Sequence, residues 1–223
     1  MKNYKLLLAA CAMLLVFGAC GNGQNQNVKE DNTETTTAIT TPDLVFYDLQ
    51  GLVKSCDIEG GYHLFTGSRV EFDRSGVITM VDGHNPFAIK EQNNDEAPTD
   101  DLEYEFSRDD QGQISSVVFG LTGAEFTWEN GRIAPSYTGF HEDLLQKCDR
   151  EYDAEGHVAR QKVYYAVDDG ADVIEWEPYM DKEFTYLDFD ANGNWTRCKV
   201  KYHDYELNLD DEDEITRKIE YFE

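Results

Sequence analysis

Basic residues are scarce in this chain. Its 223 residues include 19 Lys and Arg against 45 Asp and Glu, which gives a formal net charge of −26 at pH 7. So acidic a protein repels phosphate backbones and anionic lipid head groups, and the composition therefore argues against nucleic-acid binding. After residue 17 no apolar run approaches the roughly 20 residues that a membrane-spanning helix needs.

The motifs of common catalytic and metal sites are also missing. The sequence has no CxxC, HExxH, GxSxG or phosphate-cradling glycine loop, and its five His are dispersed. We therefore expect no cofactor and no catalytic activity. A hydrolase that uses two carboxylates stays open, because the separation of the carboxyl groups in space decides that role.

The N-terminus has the features of an export signal. Lys2 and Lys5 precede an apolar run over residues 6–17, and small residues follow it. A basic start, an apolar run of about 7–15 residues and a small-residue cleavage site are typical of a secretory signal peptide, here residues 1–19.

The tetrapeptide Phe17-Gly18-Ala19-Cys20 resembles the lipobox of bacterial lipoproteins. The resemblance implies cleavage before Cys20 and lipidation of that residue, which would make the acyl chains the membrane anchor. An ordinary signal peptide with a coincidental cysteine is the alternative. In such lipoproteins an Asp after the cysteine signals retention in the inner membrane. Gly21 stands there, so the resemblance implies the outer membrane, on its periplasmic or cell-surface face.

Residues 20–42 read as the lipidated cysteine and a disordered tether. From Gly21 to Thr41 the chain is rich in Gly, Asn, Gln, Glu and Thr, with two large apolar side chains. Such a segment buries too little surface to offset its ordering entropy. Pro42 marks the boundary, and we predict one β domain over residues 43–223.

One turn pattern recurs six times in that domain. An aromatic residue is followed by an acidic or polar spacer, a Gly, any residue and an apolar residue. Asp accepts main-chain N–H bonds at a turn and Gly supplies the positive φ, so the pattern predicts β-hairpins. The six glycines are Gly51, Gly76, Gly112, Gly131, Gly156 and Gly193.

Two of these turns, Tyr152-Asp-Ala-Glu-Gly156 and Phe189-Asp-Ala-Asn-Gly193, resemble the YD repeats of RHS-type proteins. The opening Tyr47–Ser55 and the closing Ile215–Tyr221 look like parts of secreted lipoproteins built from degenerate repeats of this kind. The resemblance implies a curled antiparallel sheet, usually without assigned catalytic activity.

The predicted fold is all-β: an antiparallel meander of β-hairpins that forms one curled, barrel-like or open sheet. Helix is expected only at His141–Lys147, for one or two turns. The acidic run Asp210–Glu214 is expected to be a solvated loop, with weak divalent-cation binding as the alternative.

Two further sets of residues suggest a metal site and a disulfide. Asp188, Asp190 and Asn192, followed by Gly193, match the first half of an EF-hand loop, but Lys199 stands where a Glu should complete it. We interpret them as a weak Ca²⁺ candidate on a hairpin. Cys148 and Cys198 are either buried free thiols or, if their strands are neighbours, a disulfide.

Aromatic residues supply the candidate ligand contacts. Trp176, Tyr179 and Tyr205 could stack on sugar rings or hold a peptide if they lie on a solvated face. Our first functional hypothesis is a non-catalytic scaffold or interaction domain at the outer membrane. The alternative is a glycan- or peptide-binding module that uses these aromatics, and a hydrolase is the least favoured.

Overall fold

The computed structural model describes residues 39–60, 67–88, 103–142, 144–167 and 174–223. The predicted signal peptide, Cys20 and the tether up to residue 38 lie outside these ranges. Thr37 to Glu223 belong to one compact unit. Within the described ranges, no helix is both long enough and apolar enough to span a bilayer.

The described residues contain one short helix and fourteen strands. They are α1 (Pro42–Phe46), β1 (Val53–Glu59), β2 (Arg69–Phe72), β3 (Ile78–Val81), β4 (Tyr104–Arg108), β5 (Ile114–Phe119), β6 (Thr122–Glu125), β7 (Trp128–Glu129), β8 (Arg132–Ile133), β9 (Ser136–His141), β10 (Leu144–Tyr152), β11 (Val158–Val167), β12 (Glu175–Phe189), β13 (Trp195–Asp204) and β14 (Leu209–Tyr221).

Twelve strands form a single antiparallel sheet in the order β3-β2-β1-β14-β13-β12-β11-β10-β9-β6-β5-β4, and β7 pairs with β8 separately. The sheet is nearly closed and barrel-shaped, with one unsealed seam. The strands at its two margins are β3 and β4. With 62% strand and 3% helix, the predicted all-β class and curled meander are confirmed.

All six glycines of the recurring pattern have positive φ, between 77° and 98°. Five of them connect consecutive antiparallel strands: Gly76, Gly112, Gly131, Gly156 and Gly193. Gly51 instead follows α1, so the prediction of a hairpin there is wrong. The residues Thr41 and Pro42 explain the helix, because Thr41 caps the N–H of Leu44 and Pro42 stands in the first turn.

The aspartate of the pattern closes four of these turns in the same way. Asp190 Oδ1 accepts the main-chain N–H groups of Asn192 and Asn194 at 2.9 and 3.0 Å. Asp73, Asp109 and Asp153 each accept two N–H groups of their own turns. Each of these turns is therefore closed by hydrogen bonds among its own residues.

Because consecutive strands are antiparallel, successive turns lie at opposite ends of the sheet. All five glycine hairpins lie at one end, which we call the plugged end. The other end carries Gly60, Asp82–Gly83, Gly120–Leu121, Glu142 and the turn Tyr205–Asn208, and we call it the exposed end.

The plug is the segment from Ile39 to Leu52, which includes α1. It buries Leu44, Tyr47 and Leu49 in the main core, with at most 4% of each residue exposed. Asp43, equally buried, accepts two hydrogen bonds from Arg108 and one from the Ile78 N–H. The plug therefore stabilises the end where the repeated turns lie.

Two other local predictions are wrong. His141 ends β9, and Leu144 to Lys147 begin β10, so these described residues of the predicted helix are in strands. The acidic run Asp210–Glu214 is part of β14 rather than a loop. Strand β13 explains the second case, because its basic residues face the acids: Lys199 Nζ lies 2.7 Å from Glu212 Oε2, and Lys201 is the cross-strand neighbour of Glu212.

The three cysteines within the described residues, Cys56, Cys148 and Cys198, are buried free thiols. Two strands separate β10, which carries Cys148, from β13, which carries Cys198. The condition for a disulfide between them is therefore not met.

Candidate functional site

The long strands that reach the exposed end bury few of their side chains. Strands β11, β12 and β14 have 10, 15 and 13 residues, and none of them contains a fully buried residue. Large apolar side chains also lie in solvent there, most of all Leu121 and Leu207 at 71% and 69% exposure. Others are Phe140, Leu144, Leu145, Ile174 and Leu209. Exposed apolar groups in such number are typical of interaction surfaces.

The three predicted ligand-contact aromatics all lie at this end. Trp176 is the cross-strand neighbour of Ala166 near the start of β12, and Tyr179 occupies a register shift of the same strand. Tyr205 begins the turn after β13, and its N–H donates to the Tyr179 carbonyl at 3.0 Å. Tyr205 is 41% exposed, while Trp176 and Tyr179 are half-buried.

Their side chains have different partners, however. The Tyr205 hydroxyl donates to Asp181 Oδ2 at 3.1 Å, and its ring packs edge-on against His203 at 4.6 Å between centroids. The Tyr179 ring lies 4.5 Å from Tyr165. The structure thus places the three aromatics at one end of the sheet without joining their side chains in one cluster.

A charged trough of 670 Å³ crosses strands β11 to β14 beside Tyr205. Two ion pairs line it, Arg160 with Glu183 at 2.9 Å and Lys162 with Asp181 at 3.5 Å, and His203 Nδ1 forms a hydrogen bond with Asp210 Oδ1 at 2.8 Å. Such solvated pairs contribute little stability, and their donors and acceptors are able to exchange water for a polar ligand. Lys201 and Glu212 also line the trough.

The weak Ca²⁺ candidate lies at the plugged end, where its residues hold other groups. Asp188 pairs with Arg197 at 2.7 Å. Asp190 closes its turn through Oδ1 and accepts a short hydrogen bond from the Tyr221 hydroxyl through Oδ2. Asn192 accepts a bond from the Gln50 side chain through its carbonyl. In the part of the chain that the structure describes, no three His, Cys, Asp or Glu side chains are grouped to hold a metal ion.

Sequence reasoning missed the histidine–carboxylate pair of the plugged end. His157 Nδ1 and Trp195 Nε1 each lie 2.8 Å from Asp48 Oδ2 at the plugged end, and the Arg217 guanidinium lies over the Trp195 ring. The hydrogen bond with Asp48 raises the pKa of His157. Burial acts to raise the pKa of Asp48, but its bond to His157 and the charge of Arg217 outweigh burial and lower that pKa.

This pair has the geometry of a general base and its orienting carboxylate, so its surroundings decide the interpretation. A neighbouring Cys198 thiol has its pKa raised to about 11 by burial, so it stays protonated and is a poor nucleophile. His157 follows the Gly156 turn, whereas Asp48 belongs to the plug 109 residues earlier. We therefore assign the pair to the attachment of the plug.

The chain has little similarity to known proteins. No protein-family model matches the chain, and no curated protein matches it. A crystal structure of a DUF3836 family protein from Parabacteroides distasonis ATCC 8503 is similar at 17% identity and a TM-score of 0.23, over 54% of this chain and 90% of that one.

Proposed function

We propose that this protein is a lipid-anchored component of the bacterial outer membrane whose β domain is a non-catalytic scaffold or interaction module. One observation carries the proposal. The polar groups of the plugged end are used within the fold, while strands β11, β12 and β14 contain no buried residue and large apolar side chains lie in solvent at the exposed end. A surface of that kind suits a partner that covers part of it.

The anchor is supported by the sequence pattern that ends at Cys20. A Cys20→Ala variant should move from the membrane fraction to the aqueous fraction of cells, because the acyl chains are then missing. Cys11→Ala, inside the predicted signal peptide, is the matched control and should stay in the membrane fraction. Persistence of the Cys20→Ala protein in the membrane fraction contradicts the anchor.

The interaction surface is tested by site-specific photocrosslinking in cells. A photoreactive residue at Leu207, 69% exposed at the exposed end, should give defined adducts. The matched position is Val77 at the plugged end, 40% exposed, which should give none. Equal adduct patterns from the two positions contradict the assignment of the surface to the exposed end.

A glycan- or peptide-binding module is the second candidate. The observation that favours it is the position of Tyr205 beside the charged trough, with its hydroxyl on Asp181. An aromatic ring next to paired polar groups is the arrangement that stacks on a sugar and bonds to its hydroxyls. Binding of oligosaccharides to the wild type that Tyr205→Ala weakens at least tenfold supports this function, and unchanged binding contradicts it.

A hydrolase receives the least support. A general acid that works on a glycosidic bond needs a carboxyl group with a raised pKa. Hydrogen bonds and nearby cations lower the pKa of Asp48 and Asp149, and hydrogen bonds within its turn lower the pKa of Asp73. These shifts are opposite to the one that such an acid needs.

A further inference from the structure

Three neighbouring strands bring two basic side chains and an amide together on the core-facing side of the sheet. Arg150 on β10 is the cross-strand partner of Gln161 on β11, which in turn is the partner of Lys182 on β12. Cross-strand partners lie on one face of a sheet, and neighbouring strands are about 4.8 Å apart. Arg150 and Lys182 therefore flank Gln161, one on each neighbouring strand. We call these three residues the inner cation cluster.

The contacts of the cluster show which face it occupies. Gln161 Nε2 donates to Cys148 Sγ at 2.9 Å and to the Tyr137 hydroxyl at 3.2 Å. Arg150 Nη2 lies 3.4 Å from the same hydroxyl, and its guanidinium covers the Tyr137 ring at 4.7 Å. Tyr137 and Cys148 are core residues, with 7% and 3% exposed. The cluster therefore faces inward.

The cluster is rich in donors and lacks an anionic acceptor. Lys182 makes no hydrogen bond or ion pair with any described residue, and Arg150 has no carboxylate partner among them. Arg150 Nε is buried without a hydrogen-bond partner. Burial raises the pKa of both the Tyr137 hydroxyl and the Cys148 thiol, so these acceptors stay neutral.

The carboxylate nearest by register does not fill this role. Asp204 is the partner of Met180, one position along the same face from Lys182. Its Oδ1 accepts the Leu207 N–H at 2.9 Å in the turn after β13. Partly buried cations without a carboxylate partner are unexpected in a protein with 45 acids, because a charge withdrawn from water is normally paired.

We propose that the inner cation cluster binds the carboxylate group of a small ligand, held by Arg150 and Lys182 on either side of Gln161. This inference is independent of the proposed scaffold function. A guanidinium fork matches the two oxygens of a carboxylate. A phosphate dianion has more oxygens to satisfy and usually draws on free main-chain N–H groups, whereas β10, β11 and β12 each have a strand on both sides. The three side chains are partly exposed, so a small ligand is able to reach them.

The test uses the purified full chain and acetate as the probe. Melting temperature is measured with sodium chloride replaced stepwise by sodium acetate up to 0.1 M at constant ionic strength. A site with a dissociation constant near 10 mM should raise the melting temperature by about 3 °C, from mass action and the size of the domain. Lys182→Met should abolish the shift, while Lys218→Met, an exposed lysine on β14 that does not line the trough, should keep it.

Each other outcome overturns the proposal. An equal shift in Lys182→Met assigns the effect to another site or to bulk salt. A larger shift with inorganic phosphate than with acetate assigns the cluster to phosphate instead of a carboxylate. No shift in the wild type means that the cations bind no added carboxylate. If Lys182→Met fails to fold, Lys182→Gln replaces it, and the side-chain amide signals of Gln161 in the wild type must move with acetate.

Discussion

The two ends of the sheet use their polar groups in opposite ways. At the plugged end, Asp43, Asp48 and Gln50 bond to residues on five different strands or turns, and the core lies against them. At the exposed end, charged side chains pair on a solvated face and large apolar groups lie in water. The difference indicates that contacts at the plugged end stabilise the fold. Side chains at the exposed end contribute less to stability, so substitutions there are compatible with the fold.

The repeated glycine turns contribute to the stability of the plugged end. Every one of the six lies at the plugged end, and several touch the plug directly: Thr41 bonds to the Gly76 carbonyl, Gln50 to Asn194 and Asp48 to His157. The unequal spacing of the glycines follows, because each interval spans two or three strands and the strands differ in length.

Among the polar side chains, the largest expected effect is the loss of Asp43. Its side chain is 2% exposed and pairs with Arg108 at 2.5 Å. Asp43→Ala leaves that guanidinium and the Ile78 N–H without their acceptor, so unfolding free energy should fall by about 3 kcal/mol. Asp210→Ala at the exposed end, where the carboxylate is 90% exposed, should change it by less than about 0.5 kcal/mol. Urea denaturation measures both changes in unfolding free energy. Comparable losses for the two variants would contradict the proposed difference between the two ends.

Two glycines with nearly equal backbone angles sharpen the comparison. Gly76 at the plugged end has φ 81°, and an added Cβ would lie 2.9 Å from Leu44 Cδ1. Gly83 at the exposed end has φ 84° and nothing within 4 Å of such a Cβ. Gly83→Ala should cost about 1 kcal/mol from the left-handed backbone alone, and Gly76→Ala about 1 kcal/mol more because the buried Leu44 must move. Equal losses of unfolding free energy in urea denaturation would mean that Leu44 and the plug shift at no cost to make room for the added Cβ.

The pair of His157 and Asp48 predicts a pH dependence. Since folding raises the pKa of His157, its stabilising contribution is complete below the ordinary value of about 6.5 and is lost as pH rises through the folded value. The free energy of unfolding should therefore fall more in the wild type than in His157→Gln as pH rises from 6 to 9. The lowered pKa of Asp48 acts in the acid range, where stability is lost as pH falls through the folded value. Parallel profiles for wild type and His157→Gln contradict the role of the pair.

The smallest effect belongs to the exposed apolar residues. Leu207→Ser should change the unfolding free energy by no more than about 0.5 kcal/mol, because 69% of the leucine is already in solvent. The matched substitution Leu44→Ser, at a residue with no exposure, should cost about 3 kcal/mol or more. A large loss for Leu207→Ser would show that the exposed end is covered within the fold.

Local chemistry explains what the sequence could predict. An Asp and a Gly three or four residues apart close a turn from their own atoms, so the hairpins and the all-β class follow from short segments. The helix α1 was also readable, since Thr41 and Pro42 form a start signal, but Tyr47–Gly51 matched the turn pattern and concealed it. The acidic run in β14 was misread because its stability depends on the basic residues of β13.

Long-range register explains what could not be predicted. The inner cation cluster exists because Arg150, Gln161 and Lys182 are aligned across three strands, and a slip of one residue would turn one of them to the opposite face. Bulges at Ala159 on β11 and at Tyr179 on β12 set that alignment, and no local pattern reveals them. The link between Asp48 and His157 likewise spans 109 residues.

Amide hydrogen exchange along the β13–β14 hairpin tests the division between the two ends most directly. The hairpin pairs Arg197 with Thr216 near the plugged end and Asp204 with Leu209 at the exposed end. The account predicts that the amides of Cys198 and Arg217 exchange at least about tenfold more slowly than those of Tyr202 and Asp211, since opening free energies rise toward the packed core. Equal protection along the hairpin, or slower exchange toward Tyr205, would contradict it.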